Sequence, residues 1–139
     1  MPIQTLSQPQ DIVQGNFCVG VLIQYIVKSH NWSFDFSHGE RTQLDKDVLI
    51  AGALLADVGK LIEYEEKDGK ITKAGRGQHL RHPFTGVAMS HARGIPPEVQ
   101  HVIATHSKEG DIMIRSNESV VFHHADFIDF DLVSKKRPF

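Results

Sequence analysis

Residues 48–64 have the sequence VLIAGALLADVGKLIEY. An apolar run at 48–56 is followed directly by the carboxylate of Asp57. Apolar residues at helical spacing over about 42–58 predict a helix. The small residues at 51–53 allow a neighbouring helix to approach closely. Asp57 and Lys60 lie three apart, so they share a helical face or the turn beyond it. A site at this helix end and an exposed Asp beside a Lys favoured by the helix dipole both explain the pair.

Outward from this run, the chain predicts further helices joined by polar segments. The expected helices lie at about 11–28, 42–58 with an extension to residue 62, 83–92, 96–106 and 117–132. The segments 29–40 and 107–111 are expected to be loops, and 64–81 a loop or short hairpin. We therefore expect an all-α fold: one compact domain of five or more helices over residues 1–139, with a core at about 12–132 and a basic tail at 134–139.

Composition excludes several classes of protein. The chain has 139 residues, 15 Lys+Arg and 17 Asp+Glu, which gives a net charge of -2 and no strong nucleic-acid signature. Its one cysteine suits a reducing compartment. The apolar run at 48–56 is too short to span a membrane, and the N-terminus lacks a signal-peptide pattern. These features predict a cytoplasmic protein.

Histidine is the unusual count, because seven of the nine histidines fall between His79 and His124. Histidine is the commonest metal ligand and also a proton shuttle. His82 precedes a proline that suits the first turn of a helix, where a cap or solvated histidine is the alternative. His101 and His106 are five apart, about 140° around a helix, so they cannot face one site. We assign His101 to packing and His106 to the candidate site.

The last predicted helix carries a further carboxylate and histidine. His123 and Asp126 share a face at a spacing of three, on an otherwise apolar helix. A carboxylate near a core needs a partner or a metal. Asp57, His82, His106 and Asp126 thus come from different helices, as metal sites in helical bundles do. Carboxylate and imidazole without thiolate suit Mn, Fe, Co, Ni or Zn.

Four stretches in this order resemble the HD-domain superfamily of metal-dependent phosphohydrolases. They are LLADVGK at 54–60, HPFTG at 82–86, ATHSKEG at 104–110 and HHADFID at 123–129. The chain looks most like the HD domain of bacterial 3′–5′ exoribonucleases. Two departures from the family pattern stand out: the histidine before the aspartate is Ala56 here, and Asn16 lies near the expected place of the first-helix histidine.

The resemblance implies a ligand set. Asp57, His82 and His106 would hold one divalent transition metal, whereas Asp57 and Asp126 are all that remains of a second site. One metal ion is therefore expected. Lys60 would pair with a substrate phosphate, and His123 would stabilise the leaving group or orient a ligand.

The implied activity is hydrolysis of a nucleotide or other small phosphorylated substrate, as a phosphohydrolase or phosphodiesterase. Arg76 and Arg81 would clamp phosphate, although solvated loop charges explain them as well. The alternative is a binding or regulatory module that keeps the fold without efficient chemistry. A homo-oligomer is compatible with either function.

Overall fold

The computed structural model describes residues 33–35 and 41–134, with side chains described over 44–131. The helix predicted at 11–28, Asn16 and residues 135–139 of the tail lie outside the described residues. All four candidate ligands, from Asp57 to Asp126, lie within them.

Helices dominate the described residues, which confirms the predicted all-α fold. The helices are α1 Lys46–Leu55, α2 Lys60–Glu63, α3 His82–His91, α4 Pro97–Thr105 and α5 Asn117–Ser134. Two antiparallel hairpins accompany them: β1 Ser33–Asp35 with β2 Arg41–Gln43, and β3 Tyr64–Lys67 with β4 Lys70–Lys73. Short 3-10 turns lie at Arg76–Gln78 and Lys108–Ile112. Within the ranges described, no helix combines the length and apolar character that crossing a bilayer requires.

The start of α1 differs from the prediction. The sequence predicts a helix from about residue 42, but Arg41–Gln43 forms β2, and α1 begins only at Lys46. Asp45 sets this boundary, because its carboxylate accepts the backbone N–H groups of Asp47 at 2.9 Å and Val48 at 3.1 Å. Strand β1 likewise lies inside the segment 29–40, for which a loop is predicted.

The core forms where α1 packs against α4 and α5. Leu49, Ala56, Val102 and Phe122 are all almost fully buried and contact one another. Gly52 makes the close approach possible, since a Cβ there would lie 2.6 Å from a methyl group of Val102. The predicted role of the small residues at 51–53 is thereby confirmed.

A second close crossing joins the turn before α2 to the first turns of α3. A Cβ on Gly59 would lie 2.1 Å from the carbonyl oxygen of His82 and 2.5 Å from Oγ1 of Thr85. A Cβ on Gly86 would meet Ile103 at 3.0 Å. The close contact of Gly59 with His82 and Thr85 places the turn that contains Asp57 against the beginning of α3. The predicted continuous helix from 42 to 62 is therefore broken into α1 and α2 by a turn.

Arg115 fixes the end of α4. Its Nε donates to the carbonyl oxygen of Thr105 at 2.8 Å, and its Nη2 donates to that of Ser107 at 3.1 Å. Asp111 pairs with the same guanidinium at 2.6 Å. The carbonyl groups at the end of a helix lack partners within the helix, so this side chain satisfies them. His106, which follows Thr105 directly, is held in place as a result.

Candidate metal centre

Three side chains from separate helix ends converge on one point. The Nε2 atoms of His82 and His106 are 3.2 Å apart. Oδ1 of Asp57 lies 3.4 Å from the first and 3.7 Å from the second. His82 and His106 are buried and Asp57 is nearly so. Among the described residues, these three form the one group whose ligand atoms are close enough to share a metal ion.

The hydrogen bonds of the two Nδ1 atoms show that both Nε2 atoms face the centre with lone pairs. Nδ1 of His106 lies 2.8 Å from the carbonyl oxygen of Ile103, which can only accept a hydrogen bond. Nδ1 of His82 lies 2.8 Å from Oε2 of Glu63, which accepts as a carboxylate. Both Nδ1 atoms are therefore donors, and in the neutral rings both Nε2 atoms are acceptors. Three acceptors then meet within 3.7 Å, an arrangement that a cation satisfies.

The separations between these atoms fit a transition metal. Bonds of about 2.0–2.2 Å to imidazole nitrogen and carboxylate oxygen place the ligands of a tetrahedral ion about 3.4 Å apart. The three observed separations, 3.2, 3.4 and 3.7 Å, bracket this value. Histidines that donate their other ring nitrogen to a carboxylate or a backbone carbonyl are typical of metal ligands.

Electrostatics keep Asp57 ionised. Burial raises the pKa of this carboxyl, but the hydrogen bond and charge of His106, when its imidazole is protonated, and those of Lys60 outweigh burial and hold the pKa well below its usual range. Nζ of Lys60 donates to Oδ2 of Asp57 at 2.7 Å, on the oxygen that does not face the histidines. Burial lowers the pKa of His82, although the charge of Asp57 opposes this effect. A neutral imidazole and an ionised carboxylate are the forms that bind metal.

Asp126 is not part of the close group. Its carboxyl is not among the three ligands that lie within reach of one ion. Burial raises the pKa of Asp126, with His106 lowering and Asp57 raising it, so these charges act on the carboxyl. Its role as a ligand stays a prediction.

The other predicted site residues lie at different distances from the centre. Lys60 contacts Asp57 directly. Nδ1 of His123 donates to the carbonyl oxygen of His106 at 2.6 Å, so it contacts the backbone of this ligand residue and not its ring. Arg81 pairs with Glu63 at 2.9 Å, whereas Arg76 is exposed on its 3-10 turn. Their roles toward substrate stay predictions.

His101 lies away from the centre, as its spacing from His106 indicates. Its Nε2 accepts the backbone N–H of Ser116 at 3.1 Å, where α5 is about to begin. It joins the α4 and α5 segments and takes no part in the close group.

Sequence reasoning missed Glu63. Its side chain has no exposed surface, and its carboxylate contacts His82. The available signal was an acidic residue in the otherwise largely apolar stretch LIEY at 61–64, which follows Asp57 within two helical turns. A buried carboxylate needs partners, and the reasoning that singles out Asp126 on an apolar helix applies equally to this position.

The fold and site together define a small helical domain whose described residues bring two histidines and a carboxylate close enough to hold a metal ion. The HD domain family model matches residues 19–131, most of the chain. The protein therefore belongs to the HD domain family, a superfamily of metal-dependent phosphohydrolases. Searches of curated proteins and of solved structures returned no match. The likeness to exoribonucleases stays a prediction from the sequence.

Proposed function

We propose that this protein is a phosphohydrolase or phosphodiesterase that uses one divalent metal ion and acts on a nucleotide or other small phosphorylated substrate. The observation that carries the proposal is the meeting of three acceptor atoms from Asp57, His82 and His106 within 3.7 Å. Neither histidine is free to turn, because each Nδ1 is hydrogen-bonded. The centre is thus preorganised for a cation.

Two observations support one ion rather than two. Ala56, where the family pattern has a histidine, is 2% exposed and packs in the core with Leu49, Val102 and Phe122. The outer oxygen of Asp57, which would bridge to a second ion, instead accepts Nζ of Lys60 at 2.7 Å. The ammonium group supplies the positive charge on that side of the carboxylate.

Residues around the centre have distinct roles in this proposal. An ion at this centre, when bound, supplies Lewis-acid polarisation of a phosphoryl group. Lys60 is 26% exposed beside the centre and would place its ammonium against a substrate phosphate. His123 supports the backbone of His106 from α5.

A binding or regulatory module is the second candidate. The packing of Ala56 in the core favours it, because this position can give no ligand to a second ion. Such a module would bind a metal or a nucleotide without turnover. Metal content alone does not separate the two functions, so activity has to be measured beside it.

The test combines metal analysis with a substrate screen. We expect about one transition metal ion per purified chain, and turnover of some phosphate mono- or diesters. Asp57→Asn should lose both, whereas Asp68→Asn, an exposed turn position with positive φ, should lose neither. Metal without turnover across the screen would favour the binding module. Protein that carries no metal and gains no thermal stability from Mn²⁺, Co²⁺, Ni²⁺ or Zn²⁺ would refute the metal centre itself.

A further inference from the structure

We propose that Glu63 is a positioning residue that fixes the tautomer and direction of the His82 ring. The inference rests on the proposed metal centre, since it explains how one ligand of that centre is aimed. It concerns a residue that contacts His82 but is not one of the three residues whose ligand atoms converge. Its effect passes entirely through His82.

The carboxylate of Glu63 binds His82 twice through one oxygen. Oε2 accepts the backbone N–H of His82 at 2.6 Å and Nδ1 of its ring at 2.8 Å. The backbone bond satisfies one of the orphan donors at the start of α3, whose N-cap residue Arg81 makes no side-chain cap. The ring bond leaves Nε2 as the atom that faces Asp57 and His106. One buried oxygen thus fixes both the first residue of the helix and the rotation of its side chain.

The other oxygen holds Glu63 itself in place. Nε of Arg81 lies 2.9 Å from Oε1, with the geometry of an ion pair rather than of a hydrogen bond. Nζ of Lys73, on β4, lies 3.5 Å from the same oxygen. Both cations are about half exposed while Glu63 is fully buried, so the carboxylate is compensated from the solvent side. The hairpin and α3 are joined through this one group.

The two histidines differ in how they are anchored. His106 donates to the carbonyl oxygen of Ile103 in its own helix, which no side-chain substitution removes. His82 depends on a side chain that comes from 19 residues earlier. The orientation of His82 can therefore be changed without substituting any of the three metal ligands, which makes the inference testable.

The first measurement uses the wild-type, metal-free protein. Nitrogen-15 correlation spectra of the histidine rings, at a pH of about 8 where unperturbed imidazoles are neutral, distinguish Nδ1–H from Nε2–H. We expect His82, assigned by its loss in His82→Gln, to be the Nδ1–H form. An Nε2–H form of His82 would overturn the inference, whatever the protein binds or hydrolyses.

The second measurement compares Glu63→Gln with Glu66→Gln, an equal charge change at an exposed position of β3. The amide of the first variant can donate to Nδ1, so we expect Nε2–H to gain population and the Kd for Zn²⁺ to rise about 10–100-fold. The second variant should match wild type in both readouts. Unchanged tautomer and Kd in a folded Glu63→Gln protein would overturn the proposal. If wild type has the Nδ1–H form but binds none of Mn²⁺, Co²⁺, Ni²⁺ and Zn²⁺, the proposed function fails while the positioning of His82 stands.

Discussion

His82 and His106 face each other with their Nε2 atoms 3.2 Å apart and their rings inclined at 52°. The first is the opening residue of α3, and the second follows the last residue of α4. Asp57 comes from the turn between α1 and α2. The centre is thus built from helix ends, and its geometry depends on the contacts that hold those ends together.

Gly59 makes one of the tightest of these contacts, and its replacement should strongly destabilise the protein. Gly59→Ala places a Cβ 2.1 Å from the carbonyl oxygen of His82, a backbone atom that cannot move without moving α3. We expect a loss of about 3 kcal/mol or more in the free energy of unfolding. Gly75→Ala is the matched control, because Gly75 also has helical angles and a Cβ there would meet no atom of the described residues within 4 Å. Urea unfolding of both variants measures the difference; equal stabilities would contradict the described crossing.

Lys60 is expected to affect turnover but not metal content. Its ammonium contacts the outer oxygen of Asp57 and not the one that faces the histidines. Lys60→Met should keep about one ion per chain while kcat falls about 100-fold or more, as for loss of a charge-stabilising donor. Lys70→Met, exposed on β4, should change neither value. Loss of the ion from Lys60→Met would mean that this ammonium stabilises the centre rather than a substrate.

Restoring a histidine at position 56 is expected to fail. Ala56 is buried against Leu49, Val102 and Phe122, and the Phe122 ring lies 5.9 Å from that of His106. Ala56→His must insert an imidazole into this packing, which should cost about 1–3 kcal/mol of unfolding free energy. We expect the variant to bind no second ion, as measured by metal analysis after dialysis. A stable variant with two ions would show that position 56 reaches the centre.

Most of the helices could be predicted because their signals are local. Apolar periodicity indicated α1 and α5, and prolines marked the starts of α3 and α4. The resemblance also singled out Asp57, His82 and His106, which the structure brings together. The order of these short motifs along the chain indicates the site, even though each residue alone also has a purely structural explanation.

The contacts that the sequence did not indicate are those between distant positions. Glu63 acts on His82 across 19 residues, and Asp45 N–H pairs with Glu118 across 73. No periodic pattern marks such pairs. Strand β2 was missed for a related reason: Arg41–Gln43 has no clear alternation, and its structure depends on pairing with Ser33–Asp35.

Arg115 is expected to matter for stability and for the end of α4. Its guanidinium donates to the carbonyl oxygens of Thr105 and Ser107, on either side of His106. Arg115→Met leaves these groups without that partner and should cost about 1–3 kcal/mol of unfolding free energy. Arg93→Met should cost much less, because within the described part of the chain this side chain bonds a single carbonyl group, that of Met89, at an exposed position. Thermal unfolding of the two variants gives the comparison; equal losses would remove the special role of Arg115.

Glu109 predicts a pH dependence of stability. Burial raises the pKa of its carboxyl, but the hydrogen bond from Ser107 at 2.5 Å and the charge of Arg81 prevail, so the pKa lies below its ordinary value of 4.5. Because the pKa is lower in the folded state, ionised Glu109 stabilises the protein at pH values above 4.5. This contribution is lost as the pH falls through the lower pKa of the folded protein. Glu109→Gln should therefore be less stable than wild type at pH 7, by under about 1 kcal/mol for a partly exposed pair. The difference between wild type and the variant should shrink toward zero in acid. Urea unfolding across this range measures both, and a difference that grows as pH falls would reverse the assigned sign.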